Sequence, residues 1–146
     1  MMVPPEIIAL LDGQPEINAW EPVLTLLTVD EAGFPHVCLV SRMELEADSR
    51  HIYAVLASKM TAANLSGRPR ATLVAVHDDV AYYLKLAVVR ASPSLPMAVE
   101  FEVASLTQDT LGIPLASARY LVTSSLPVTE TWTRTTEVLA RFRAAG

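Results

Sequence analysis

A single cysteine, Cys38, is the entire thiol content of this 146-residue chain. One cysteine forms neither an intrachain disulfide nor a thiolate zinc cluster. Its place inside an apolar strand-like run makes it a small buried hydrophobe. Basic residues are also few, 11 against 16 acidic, and the net charge is −5. Only Arg68/Arg70 and Arg141/Arg143 are close in sequence, so the clustered cations that a nucleic-acid backbone requires are missing. No apolar run approaches the roughly 18 residues of a membrane span. The first residues, MMVPPEIIALLDG, lack the basic start and cleavage pattern of a signal peptide. A cytoplasmic protein with neither a nucleic-acid nor a membrane partner is the expectation.

Sequence patterns for familiar chemistry are missing too. His36, His51 and His77 stand at strand starts or turns outside any H-x-E or H-E-x-x-H pattern, and no metal site is expected. There is no G-x-S-x-G, no G-x-G-x-x-G and no P-loop. Asp78 and Asp79 are neighbours in a turn, which suits Asp without making an acid–base pair. Any chemistry must be lent by a cofactor.

What the chain does hold is apolar strand. Apolar residues make up 51% of it, enough for one domain, 1–146, with a real core. A short helix is expected at about 4–12, with proline in its first turn and Gly13 at its end. Strand-like runs follow at 21–30, 35–48, 51–57, 69–76, 80–89, 97–106 and 118–125, punctuated by Gly33, Pro35, the DSR turn and HDD. In 97–106, Val99, Phe101 and Val103 alternate with Glu100 and Glu102, the pattern of a half-buried strand. A C-terminal helix at about 128–144 gathers Val128, Trp132, Thr135, Leu139 and Phe142 on one face. Seven strands in hairpin succession, with one short helix interrupting them, predict a mainly β fold with flanking helices. An antiparallel barrel fits best, with a sandwich as the alternative.

That interrupting helix, ASKMTAANL, is the segment with most chemical content. Ser58 is placed to cap it. Lys59 and Thr61 add a cation and a hydroxyl beside the free amides of its first turn, the parts of an anion cradle. Tyr82 and Tyr83 are adjacent in a strand, so they point to opposite faces. Trp20, just before the first strand, is placed to close a barrel end.

Taken in order, these features resemble the pyridoxamine 5′-phosphate oxidase-like, FMN-binding split-barrel family. LLTVDEAGFPHVCLVS is similar to its first hairpin, through Thr28, Asp30, Gly33 and Pro35. HIYAVLASKMTAANLSGRPRATLVAV resembles its strand, short helix and next strand, through Ser58, Lys59, Asn64, Leu65, Pro69 and Arg70. FEVASLTQDTLGIPL resembles a further strand and loop. The resemblance implies an antiparallel split β-barrel that binds FMN at the interface of a homodimer. The phosphate would sit on Ser58, Lys59 and Thr61. The ring would lie along Val37, Cys38, Leu39, Val40 and Ser41, with Tyr53, Ala54 and Val55 close by. Tyr82, Tyr83 and Lys85 would come from the partner subunit.

The family's usual basic residue stands three before the Asn of NL; here that position is Thr61 and the lysine is Lys59. The Trp-Arg substrate signature of true pyridoxamine 5′-phosphate oxidases is missing, so that reaction is not assigned. The expectation is a flavin-dependent oxidoreductase acting on a small molecule, with no catalytic residue identified. The alternatives are a non-catalytic or cofactor-free dimeric barrel, and a member using a deazaflavin coenzyme or haem. A mean hydropathy of +0.34 adds to the expectation of a dimer, since apolar surface needs cover.

Overall fold

The computed structural model describes residues 1–11 and 17–146. Helix α1 (Pro5–Leu10) comes first, then strands β1 (Trp20–Pro22), β2 (Leu24–Val29) and β3 (Pro35–Val40). A 3-10 turn (Arg42–Glu44) leads into β4 (Leu45–Ala47) and β5 (His51–Leu56). Helix α2 (Lys59–Gly67), β6 (Arg70–His77), β7 (Val80–Ala91), β8 (Met97–Asp109) and β9 (Arg119–Leu121) follow. Helices α3 (Leu126–Thr129) and α4 (Trp132–Ala144) end the chain. The expected end of α1, Asp12 and Gly13, lies outside the described residues.

Seven strands form one antiparallel sheet in the order β3-β2-β6-β7-β8-β5-β4, and β1 pairs with β9 in a second, two-stranded sheet. The two edges of the large sheet, β3 and β4, are consecutive in the chain. If the sheet were flat, six strand spacings of about 4.8 Å would separate those edges by about 29 Å. The five residues from Val40 to Leu45 span at most about 18 Å. The sheet therefore has to curl, with the 3-10 turn as the seam joining its edges.

Alternation fills the inside of the curl. Leu24, Leu26, Ile52, Ala54, Leu73, Leu84, Leu86, Val99, Phe101 and Val103 point into one core, closed by Ile7 and Leu11 of α1 and its surroundings and by Ala62 and Leu65 of α2. The hairpin turns have their own local causes. Gly33 has φ 91° in the β2–β3 turn, a conformation that costs glycine nothing. Asp78 and Asp79 both have positive φ, 48° and 64°, as a two-residue hairpin of the primed type requires.

Three expectations are corrected. The run 35–48 is two strands, because Glu44 Oε1 accepts from the Ser41 amide (3.4 Å) and hydroxyl (3.1 Å) and folds the 3-10 turn between them. The C-terminal helix begins at Trp132, since Thr131 is left-handed with φ 51° and separates α3 from α4. Val128 is consequently exposed rather than part of the apolar face. Trp20 is half exposed beside Leu121 of β9 and does not close the barrel.

Helix α4 lies on the outer face of β5 and β8, where Leu139 packs with Tyr53, Val55 and Ala98. Arg143 donates to Glu46 (2.6 Å) and sits 4.4 Å above the Tyr53 ring. Arg90 bonds Glu100 (2.9 Å) and lies 3.8 Å over Phe142. Among the described residues, no helix is long and apolar enough to cross a membrane.

Candidate functional site

Helix α2 starts as its sequence suggests. The Ser58 hydroxyl accepts from the Thr61 amide at 3.2 Å, and its own proton stays free to be donated. The amides of Lys59 and Met60 belong to the first turn, where a helix supplies no acceptors. Both side chains are exposed. The helix is held in place from its far end. Asn64 Nδ2 donates to Thr28 Oγ1 (3.0 Å) in the interior, and Arg68 Nη1 donates to the Asp30 carbonyl (2.7 Å). This anchoring leaves a positive helix end with a cation beside it, favourable to an anion.

Thr61 is placed differently from the expectation. It is fully buried beside the Cys38 thiol, and its hydroxyl has no hydrogen-bond partner among the described residues. Burial pushes the Cys38 thiol up, with the Glu44 carboxylate adding to the rise and Thr61 opposing it. Cys38 is thus a poor nucleophile at neutral pH.

The β3 residues split by alternation. Cys38 turns inward, while Val37 and Leu39 face outward and are 55% and 66% exposed. Val40 and Ser41 are buried where the strand enters the seam. Among the described residues β3 pairs with β2 alone, so its other edge has no strand partner there.

Register then shows which residues share the outer face. Val37 is opposite Leu27, Leu27 opposite Thr72, and Thr72 opposite Lys85. In a parallel row, Leu39, Thr25, Val74 and Tyr83 lie side by side. Val37, Leu39, Tyr83 and Lys85 therefore share one face, the outer two pairs separated by about 14 Å, or three strand spacings. A groove of about 680 Å³ crosses it, lined by Leu27, Val29, Arg70, Thr72, Lys85 and Ser105.

The remaining candidates are elsewhere. Tyr82 is inside the barrel, donating to Glu6 Oε1 at 3.1 Å, and cannot reach a partner subunit. Ala54 is fully buried in the same core. Tyr53 and Val55 face outward but lie under α4. The Tyr53 hydroxyl donates to Asp48 Oδ2 (2.9 Å), and its pKa is pushed up to about 12 by burial, that bond and the nearby Asp48 and Glu100 charges. A flavin ring has no access to these two side chains while α4 is docked.

Sequence reasoning missed a buried ion pair. Arg42 in the seam donates through Nε and Nη2 to both oxygens of Glu21, which also accepts from the Asn18 amide and side chain. Burial alone would raise the Glu21 pKa, but the bonds from Arg42 and Asn18 and the Arg42 charge outweigh it and hold the carboxyl below its usual range. Nothing local signals a pair 21 residues apart. The Ser41-x-x-Glu44 spacing is a capping-box pattern able to signal the turn that carries Arg42, although the sequence expectation is one strand-like run over 35–48.

No family model matches the sequence, and no curated protein matches it. Solved structures do. An FMN-binding protein from Syntrophomonas wolfei is 15% identical with a TM-score of 0.52, over 60% of this chain and 77% of that one. An F420 reductase is 13% identical with a TM-score of 0.54, over 72% and 98%. An FAD-binding protein from Mesorhizobium loti is 10% identical with a TM-score of 0.51, over 74% and 95%. At such identities the likeness is one of architecture, and the architecture agrees with the resemblance read from the sequence. This chain has the split-barrel fold of flavin-binding proteins.

Proposed function

We propose that the chain binds FMN as a homodimer and acts as a flavin-dependent oxidoreductase on a small molecule. The observation that carries the reading is the meeting of three features: the Ser58-capped start of α2, the exposed Lys59 beside it, and the unpaired edge of β3. Ser58, Lys59 and the first-turn amides would hold the phosphate dianion by charge-assisted bonds. Backbone groups on the free edge of β3, with Val37 and Leu39, would flank the ring. A bound flavin supplies hydride or single-electron transfer, which none of the chain's own side chains offers.

The dimer completes this arrangement. Val37, Leu39, Leu27 and Val74 make an apolar outer face on which Val37 and Leu39 stay more than half exposed. A second copy laid on it would bring Tyr83 and Lys85 of one protomer toward the cofactor of the other. Light scattering should give twice the chain mass, and Leu39→Asp should return a folded monomer. A wild-type monomer would remove both the dimer and an interface-bound cofactor.

One observation favours a second reading, a barrel that binds no flavin or binds it without turnover. Helix α4 occupies the β5 surface that the family resemblance assigns to the ring. Titration separates the two. Lys59→Ala should weaken FMN binding about tenfold, the loss of one charge-assisted contact, and the bound flavin should be reduced by a nicotinamide donor. Equal affinity in the variant removes Lys59 from the site. Binding without reduction supports the second reading.

A further inference from the structure

A different concavity opens where the end of β3, the seam, β9 and the start of α4 meet. Its volume is about 260 Å³. Val23, Leu39, Val40 and Leu126 supply apolar walls. Glu44, Tyr120, Glu130 and Trp132 supply the polar groups. Two local features put them there: the Ser41–Glu44 contacts fix Glu44, and the left-handed Thr131 turns the chain so that Trp132 enters the interior.

Two donors carried by this lining have no acceptor among the described residues. Trp132 is only 7% exposed, and its indole Nε1–H has no partner. The Tyr120 hydroxyl is buried beside Ser41 and likewise has none in hydrogen-bonding geometry. Folded proteins leave few such groups, because an unpaired buried donor forfeits its bond to water without replacement. An indole N–H can only donate, so what it lacks is an acceptor. Water could provide one, but the four apolar walls gain nothing from holding water.

Charge narrows the class. Both carboxylates of the lining come from Glu44 and Glu130, and among the described lining residues there is no cation. An anionic ligand would meet two carboxylates, and the one cation acting on Tyr120, Arg42, is already paired with Glu21. The walls call for an apolar frame, and the donors call for a neutral oxygen. We propose that this pocket binds a small, neutral, largely apolar molecule bearing a carbonyl group, whose oxygen accepts from Trp132 Nε1–H and the Tyr120 hydroxyl. The pocket shares Leu39 with the face proposed for the flavin, but its donors, Trp132 and Tyr120, belong to neither the phosphate nor the ring contacts proposed there.

The chain holds two tryptophans, Trp20 and Trp132, so its proton–nitrogen correlation spectrum has two indole signals. Benzamide is the probe and benzoate, the same ring with a charged head, the control. Benzamide should shift the Trp132 signal saturably and leave that of the half-exposed Trp20 in place. Benzoate should bind at least about tenfold more weakly, as expected when a negative charge meets the two carboxylates of the lining. Trp132→Phe should keep the fold, delete the shifted signal and weaken benzamide binding. If that variant does not fold, Trp20→Phe assigns the signals instead. An unmoved Trp132 signal at the solubility limit of benzamide, or equal response to benzamide and benzoate, overturns the proposal.

Discussion

The two outer faces of the curled sheet received opposite treatment. On β5 and β8, the chain covers its own apolar surface with α4, fastened by Leu139 and by the arginines Arg143 and Arg90. On β3, β2, β6 and β7, rows that set Val37, Leu27, Leu39 and Val74 among Thr25, Thr72, Tyr83 and Lys85 stay open. The family resemblance assigned the ring to both faces at once, through Val37–Ser41 and through Tyr53–Val55. Of these residues, the structure leaves Val37 and Leu39 open on the first face, while α4 covers Tyr53 and Val55 on the second.

Truncating one leucine on each face breaks the comparison most sharply. Leu139→Ala, fully buried under α4, should cost about 2–5 kcal/mol of stability in urea unfolding. Leu39→Ala on the open face should stay within about 0.5 kcal/mol under conditions where the chain is monomeric. Similar costs at both positions would mean that the open face is already packed against something.

The seam between the faces is expected to respond to acid. The Glu21 pKa is held below its ordinary value near 4.5. A depressed carboxyl stabilises the fold fully above that ordinary value and loses its contribution as pH falls through the lower, folded value. Stability should therefore drop below about pH 4.5, and Glu21→Gln should flatten that slope. An unchanged slope would move the acid sensitivity to other carboxylates.

The smallest effect belongs to the fastening of α4. Arg143→Ala removes a partly exposed pair with Glu46 and the contact over Tyr53. About 1 kcal/mol or less is expected from chevron or equilibrium unfolding. A loss as large as that of Leu139→Ala would make the charge network, rather than apolar packing, the main hold on the helix.

Much of the barrel was legible because period-two alternation is a property of short stretches. Val99, Phe101 and Val103 announced their face without help from the rest of the fold, and Gly33 and the Asp78–Asp79 pair marked their turns. Ser58 was equally readable as a cap, since its bond to Thr61 spans three residues. What escaped was non-local or hidden by period. Leu139 and its neighbours showed an apolar helix face, but nothing in 132–144 says that it lands on Tyr53 and Val55. Thr61 looks like a surface hydroxyl beside Lys59, yet the helical turn carries it inward to Cys38. The pairing of Glu21 with Arg42 depends on a seam that exists only once the sheet has curled.

The measurement that tests the account most directly is hydrogen–deuterium exchange with and without saturating FMN. The two outer faces should respond differently. Protection is expected over residues 58–62 at the start of α2 and over 36–40 in β3, with no change over 133–143 in α4. Protection confined to α4 and β5, or none anywhere, would contradict the assignment of the cofactor to the open face.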